Sequence, residues 1–287
     1  MRRETGADPR TLELTFRERA APAGSPNSYA LLFADADLRP ALAALYAFEA
    51  ELRAAVQPRT EHAAAHLKLA WWAEEIGRIV RGSPLHPIGR ALCAAAEPSR
   101  IDLAMLGDTL AAAQHDLARR PIADLDELGA YCQRSGGITQ QLAALFGEPA
   151  ADRRGDAGKF GGALGRGLCL AELLRHHVAD LNAGRNRLPQ SLLRERKVAV
   201  GDFLSATRPA GATALLDELA AQATEWLEQA RRARDIDRAR QRAGLVLAEL
   251  AHGALQRMRG DHFSARSLGA PPAFTLLWRA WRTARST

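Results

Sequence analysis

Apolar residues recur at three- and four-residue intervals along nearly the whole chain, the spacing that places side chains on one face of an α-helix. The pattern predicts helices over 28–34, 40–56, 61–81, 86–96, 101–119, 124–146, 156–183, 210–234, 240–260 and 272–284. No stretch holds the strict alternation of a half-buried strand. The gaps carry helix-stopping residues: Pro58, Gly82-Ser83-Pro84, Pro98-Ser99, Pro121, Gly147-Glu148-Pro149, Leu188-Pro189 and Gly269-Ala270-Pro271-Pro272. Proline lacks the amide proton and clashes with the preceding turn, so each of these ends a helix. No long Gly/Ser linker, composition shift or internal repeat divides the chain. The expectation is one all-α domain over 11–287 behind a flexible N-terminal arm, 1–10.

Two predicted helices stand apart. Residues 41–48 are apolar on every side, which places that helix at the centre. Residues 156–183 carry Gly158, Gly161, Gly162, Gly165 and Gly167, each destabilising a helix by up to ~1 kcal/mol relative to alanine. Close approach of a neighbouring helix accounts for them. Asp156 is expected to cap this helix, and the mixed-sign run 231–242 to be a solvated helix end and connection. In 272–284, the spacing of Phe274, Leu277, Trp278 and Trp281 predicts a stripe facing the core, with Arg279, Arg282 and Arg285 in water. The same residues also fit an interfacial helix, rings beside cations.

Composition narrows the function classes. With 287 residues, 47% apolar and 25% charged, the chain is globular and not disordered. Lys plus Arg number 39 against 33 Asp plus Glu, a net charge of +6. Lysine occurs only at 68, 159 and 197, so the basic load is arginine, which suits phosphate and carboxylate forks. Anionic lipid or diphosphate fits that excess; nucleic acid ranks last, because no nucleic-acid-binding motif accompanies it. Cys93, Cys132 and Cys169 are scattered singly, as expected of reduced thiols in the cytoplasm. The longest apolar run, 41–48, is far short of the ~20 residues of a membrane span. No apolar stretch follows Met1-Arg2-Arg3-Glu4, so no secretory leader is expected. No phosphate-binding loop, G-x-S-x-G elbow or H-E-x-x-H pair is present.

Several segments together resemble one family. They are Ser28-Tyr29, Arg39 and Ala44-Leu45-Tyr46-Ala47-Phe48; Leu69-Ala70-Trp71-Trp72-Ala73-Glu74-Glu75-Ile76; His86-Pro87; and Tyr131-Cys132-Gln133-Arg134-Ser135-Gly136-Gly137. The densest are Leu164-Gly165-Arg166-Gly167-Leu168-Cys169-Leu170-Ala171-Glu172-Leu173-Leu174-Arg175 and Gly184-Arg185-Asn186-Arg187-Leu188-Pro189. In order and spacing they resemble the squalene/phytoene synthase family over about residues 28–285. The resemblance implies the all-α isoprenoid synthase fold, a helical bundle around a deep apolar cavity with two aspartate-rich helices facing across its mouth. In that family those aspartates hold about three Mg²⁺ ions that neutralise a departing diphosphate.

Here the pattern departs from the family. The first aspartate motif falls on Arg53, Ala54 and Gln57, without a carboxylate. The second falls on Glu172, His176 and Asp180, so only Asp180 is retained outright. Ser28, Tyr29, Tyr46, Arg175 and Arg185 match positions that line the diphosphate end of the cavity in that family. A synthase framework with its first motif erased is similar to the phytoene-synthase-like assembly factors of respiratory complex I. The stretches 47–52 and Arg279-Ala280-Trp281-Arg282 are similar to that branch too. What this implies is a non-catalytic binding or assembly factor with no cofactor. Its partners would be respiratory-complex subunits or an isoprenoid or lipid ligand, with peripheral membrane contact.

The alternative is a Mg- or Mn-dependent prenyl transferase with a rearranged metal site. Glu172, His176 and Asp180 share a helix face, but i to i+8 spans ~12 Å, so one ion cannot meet all three. Glu49 or Glu51 from the facing helix would have to contribute. Without such a partner, Glu172 and His176 are an i,i+4 pair on a polar cavity rim. His62 and His66 also share a face, and with no third ligand near them they are expected to be two exposed helix histidines.

Overall fold

A computed structural model describes residues 16, 18–205, 207–269 and 271–287. The arm expected at 1–10 lies outside the described residues. The described chain is helical with no strand: α1 (Pro26–Phe33), α2 (Arg39–Ala55), α3 (His62–Val80), α4 (Pro87–Ala96), α5 (Leu106–Leu117), α6 (Leu125–Cys132), α7 (Ile138–Phe146), α8 (Arg154–Asn182), α9 (Gln190–Glu195), α10 (Ala210–Arg231), α11 (Arg242–Gly260), α12 (Ala265–Leu268) and α13 (Ala273–Arg285). Periodicity located the long helices and missed α9 and α12, which are too short to show a repeat.

Two large apolar clusters hold the bundle, and a small third one seats α13 on α1 and α11. One surrounds α2, whose residues from Ala41 to Phe48 are all buried, and takes in Trp72, Ile76, Leu92, Leu106 and Leu142. Phe48 meets Trp72 edge-on with ring centroids 5.1 Å apart, a favoured aromatic geometry. The other surrounds α8 and α10 through Phe160, Leu164, Leu170, Leu216, Leu219 and Leu227. Leu168 packs against both clusters. Each large side chain so buried contributes roughly 1.5–3 kcal/mol.

Gly161, Gly165 and Gly167 of α8 are close-packing residues, as expected, whereas Gly158 and Gly162 face only side-chain atoms at 3.4 Å or more. A Cβ on Gly165 would lie 2.1 Å from the Gly136 carbonyl oxygen, and one on Gly161 would lie 2.3 Å from that of Gln140. The Gly136 approach falls in a π turn, Gln133–Gly137, that separates α6 from α7 within the predicted 124–146 helix. The turn sets the backbone at 136 and 137 against α8.

Three local expectations are corrected. Asp156 does not cap α8: the helix begins two residues earlier, no side chain caps it, and Asp156 pairs with Lys159 at 3.0 Å. The run 231–242 is not a solvated connection throughout. Ile236 is buried, Arg240 donates to Asp37 at 2.9 Å and to the Gly147 carbonyl at 3.1 Å, and buried Gln241 donates to Ala144 at 2.8 Å. On α13 the inward residues are Leu276 and Ala280, while Phe274, Leu277, Trp278 and Trp281 are exposed. The predicted core-facing stripe points outward because α1 and α11 offer Tyr29, Val246 and Leu250 only to the Leu276–Ala280 side.

Candidate functional site

Between the two clusters lies a cavity of about 350 Å³, across which α2 and α8 face each other. Its walls are apolar: Leu168 from α8, Leu247, Leu250 and Met258 from α11, and Leu276 from α13. Its rim is charged, with Glu49 and Arg53 from α2, Glu172 and Arg175 from α8, and Arg257 from α11. An apolar chamber with a few convergent polar groups is the usual form of a small-molecule site.

The rim is largely neutralised from within. Arg53 donates to Glu49 at 2.6 Å, one turn away. Arg175 Nη2 donates to both oxygens of Glu172 at 2.8 Å, and His176 Nε2 lies 3.2 Å from the same carboxylate. Burial pushes the Glu172 carboxyl up, yet the bond to His176 and the charges of Arg175 and Arg53 prevail and hold it down at about 2. Glu49, opposed by burial and aided by Glu172, holds the Arg53 guanidinium above its ordinary range. Arg257 differs. It makes no ion pair among the described residues and donates only to the carbonyls of Ser267 and Gly269, the latter at 2.7 Å. Burial, with Arg175 and Arg279 nearby, pushes it below the usual arginine range. Three guanidiniums thus face two carboxylates, and the surplus belongs to Arg257.

Beyond the rim Asp180, the last carboxylate of α8, is enclosed. Gly184, at φ +72°, ends α8 with paired bonds from the Gly184 amide to Leu181 and the Arg185 amide to Asp180. This is the cap geometry that glycine allows without strain. It folds the chain back so that Arg185 donates to Asp180 Oδ1 at 2.7 Å and Arg187 to Oδ2 at 2.6 Å. Arg187 also forks onto Asp116 of α5 at 3.0 and 2.8 Å, and the Tyr131 hydroxyl donates to the same carboxylate. Arg185 reaches the Val56 carbonyl just after α2 at 3.1 Å. Two carboxylates and two guanidiniums close on each other beside a void of only about 20 Å³.

The residues read from the sequence therefore separate. Arg175 lines the cavity. Ser28 donates its hydroxyl to the Ser25 carbonyl at 2.7 Å and serves the start of α1. Tyr29 donates to the Ala273 carbonyl at 3.2 Å and joins α1 to α13. Tyr46 is buried with a hydroxyl that has no hydrogen-bond partner among the described residues, and burial pushes that group above its ordinary range. It borders a minor void shared with Gln140, which also lines the main cavity. Arg185 belongs to the Asp180 cluster. Arg53 stands on the rim, and Ala54 and Gln57 are exposed. His62 and His66 are exposed neighbours, ring nitrogens 3.0 Å apart.

Glu172 and His176 meet, but Asp180, two turns on, does not join them. Among the described residues no group of three or more His, Cys, Asp or Glu side chains is placed to hold a metal ion. Glu49 is taken by Arg53, and Glu51 by Arg19 and Lys68 at 2.9 and 2.8 Å. Mg²⁺ needs several free hard oxygens in near-octahedral array, and this donor set does not fit it. No motif in the sequence assigns a role to Asp116, Arg187 or Arg257. Arg187 stood within the Gly184-Arg185-Asn186-Arg187 stretch; Asp116 and Arg257 carry no local signal.

The family model for squalene/phytoene synthase matches residues 21–281. The fold is similar to that of a dehydrosqualene synthase solved with a ligand (TM-score 0.80, 18% identity, covering 98% of this chain and 100% of that one). It is also similar to squalene synthase HpnC from Alicyclobacillus acidocaldarius (TM-score 0.75, 18% identity, 91% and 97% covered). A third similar structure is YisP from Bacillus subtilis subsp. subtilis strain 168 (TM-score 0.63, 17% identity, 96% and 99% covered). No curated protein sequence matches the chain significantly.

Proposed function

The chain belongs to the squalene/phytoene synthase family, and from that premise we propose that it is a non-catalytic binding or assembly factor whose cavity holds an isoprenoid or lipid anion without metal. The observation that carries this reading is the state of Asp180. Both of its oxygens accept from guanidiniums, Arg185 and Arg187. Removing one partner of so enclosed a pair costs about 3–5 kcal/mol, which opposes release of Asp180 to an incoming ion. Arg53, at the rim, occupies Glu49, the one carboxylate of α2 that faces the cavity, and so withholds it from a divalent cation. Arg175 and Arg257 suit a carboxylate or phosphate head, and the apolar wall suits its chain. A prenyl transferase would need Glu49, Glu51 and Glu172 freed from Arg53, Lys68 and Arg175.

Incubation with labelled farnesyl or geranylgeranyl diphosphate and Mg²⁺ or Mn²⁺ tests the proposal. We expect no pyrophosphate above a heat-killed control, while native mass spectrometry of protein from its own host shows a retained amphiphile. Pyrophosphate release overturns it. The respiratory-complex role rests on the resemblance at 47–52 and at Arg279-Ala280-Trp281-Arg282. It is checked by native gels of respiratory complexes from cells lacking the protein.

A further inference from the structure

The outward side of α13 carries large rings that none of the described residues covers: Phe274 is 76% exposed, Trp278 47% and Trp281 45%. Isolated exposed apolar residues are ordinary, but a row of rings on one helix face is a contact surface. The helix contains three arginines and no carboxylate. Two of these arginines lie over the rings, Arg282 at 4.7 Å from the Trp278 centroid and Arg285 at 5.0 Å from that of Trp281. Beside the C-terminal end of the helix runs a groove of about 330 Å³ where Arg231 and Arg232 pair with Glu228 and Arg282 pairs with Glu249 at 3.2 Å, with Arg238 nearby. Cations are in excess on the face and in the groove alike.

We propose that α13 is a docking surface for an anionic lipid bilayer, its rings sinking to headgroup level while Arg285, which makes no ion pair among the described residues, and the exposed Arg282, which shares Glu249 with Arg231 and Arg279, meet lipid phosphates. A convex single-helix face with rings and cations but no acid is complementary to a negative interface, where Trp is favoured at the headgroups and arginine stems can extend outward. A protein partner would have to supply a concave acidic pocket to cover the same rings. The inner side of the helix agrees with the bilayer. Leu276 of α13 and Pro271 before it line the main cavity, so docking by α13 sets that cavity's edge against the membrane. The docking surface stands independently of the proposed function, since an active transferase could dock in the same way.

The test is flotation of the full chain with phosphatidylcholine vesicles and with phosphatidylcholine–phosphatidylglycerol vesicles, at low and high salt. Trp278→Ser/Trp281→Ser and Arg282→Gln/Arg285→Gln are compared with the unmodified protein. Both variants leave Leu276 and Ala280, the buried side of α13, in place, and circular dichroism checks that each is folded. Binding is expected on the anionic vesicles only. It should weaken about 5-fold for each arginine removed and fall with salt, as the Debye length shrinks from ~10 Å at 0.1 M to ~3 Å at 1 M. The tryptophan variant should lose binding as well. Absence of flotation, equal flotation on neutral vesicles, or binding unchanged in the tryptophan variant overturns the proposal. So does a dimer that disappears in the tryptophan variant, which would give the face to a second copy of the chain.

Discussion

Along the first half of α8, Gly161 and Gly165 rest against the backbone at Gln140 and Gly136, with no room for a methyl group. Along the second half, Glu172 and Asp180 are met by guanidiniums, from Arg175 one turn on and from Arg185 and Arg187 after the helix ends. One helix thus uses two ways of fixing its surroundings. The first is steric and indifferent to solvent. The second is electrostatic, and its strength depends on how far water is excluded. Within the second half the same contrast recurs: Asp180 is enclosed, whereas Glu172 lies on an open rim and is 37% exposed. The difference locates the stable frame and the surface free to meet a ligand. Asp180 is frame, and the arginine-rich rim is the candidate site.

The largest effect is expected where the electrostatic half is most enclosed. Arg187→Ala leaves Asp116 and Asp180 facing each other with half of their counter-charge, and both are largely buried. Loss of one partner from such a cluster costs about 3–5 kcal/mol. Urea denaturation should show that loss, and recovery of most of it when Asp116→Asn and Asp180→Asn are added. A change within about 1 kcal/mol in the single variant would make the cluster a surface network instead.

The steric half comes next. Gly165→Ala places a methyl 2.1 Å from the Gly136 oxygen, so α8 and the π turn must part. Overpacking of this kind costs about 1–3 kcal/mol, occasionally more. Gly155→Ala, ten residues earlier in the same helix, meets nothing within 4 Å and is expected to stabilise by up to about 1 kcal/mol through helix propensity. Equal melting temperatures for the two variants would remove the distinction between packed and open glycines on α8.

The two halves were unequally legible in the sequence. Glycines at 158, 161, 162, 165 and 167 announce close approach, because a glycine-rich helix otherwise has little reason to form. Ala41 to Phe48 announces burial in the same direct way. The polar half was legible only as a set of positions. Glu172, His176 and Asp180 share a face by spacing, but Asp180's partners depend on a reversal at Gly184 and on Asp116, 64 residues upstream. No local pattern encodes that encounter. Nor does one reveal Arg257, whose place on the rim depends on how α11 crosses α8. The α13 stripe failed for a related reason. Spacing shows that Phe274, Leu277, Trp278 and Trp281 share a face, not which face the neighbouring helices cover.

The smallest expected effect separates the halves by pH. The folded-state carboxyl of Glu172 sits at about 2, below its ordinary 4.5. A depressed group stabilises the fold fully above its unfolded value and loses that contribution as pH falls through the folded one. The window is therefore pH 4.5 down to about 2. Solvent screening keeps the effect modest, since the side chain is partly exposed. The glycine half has no comparable group: Asp156 and Lys159 pair on its surface. Between about pH 5 and about pH 3, amide protection factors should fall in residues 168–182 and hold in 157–167. Glu172→Gln should remove most of that difference, because a neutral amide cannot be held by Arg175 and His176 as the carboxylate is. A uniform fall along the whole helix, unchanged in Glu172→Gln, would mean that acid acts on the bundle elsewhere and that the rim of α8 is no weaker than its glycine-packed end.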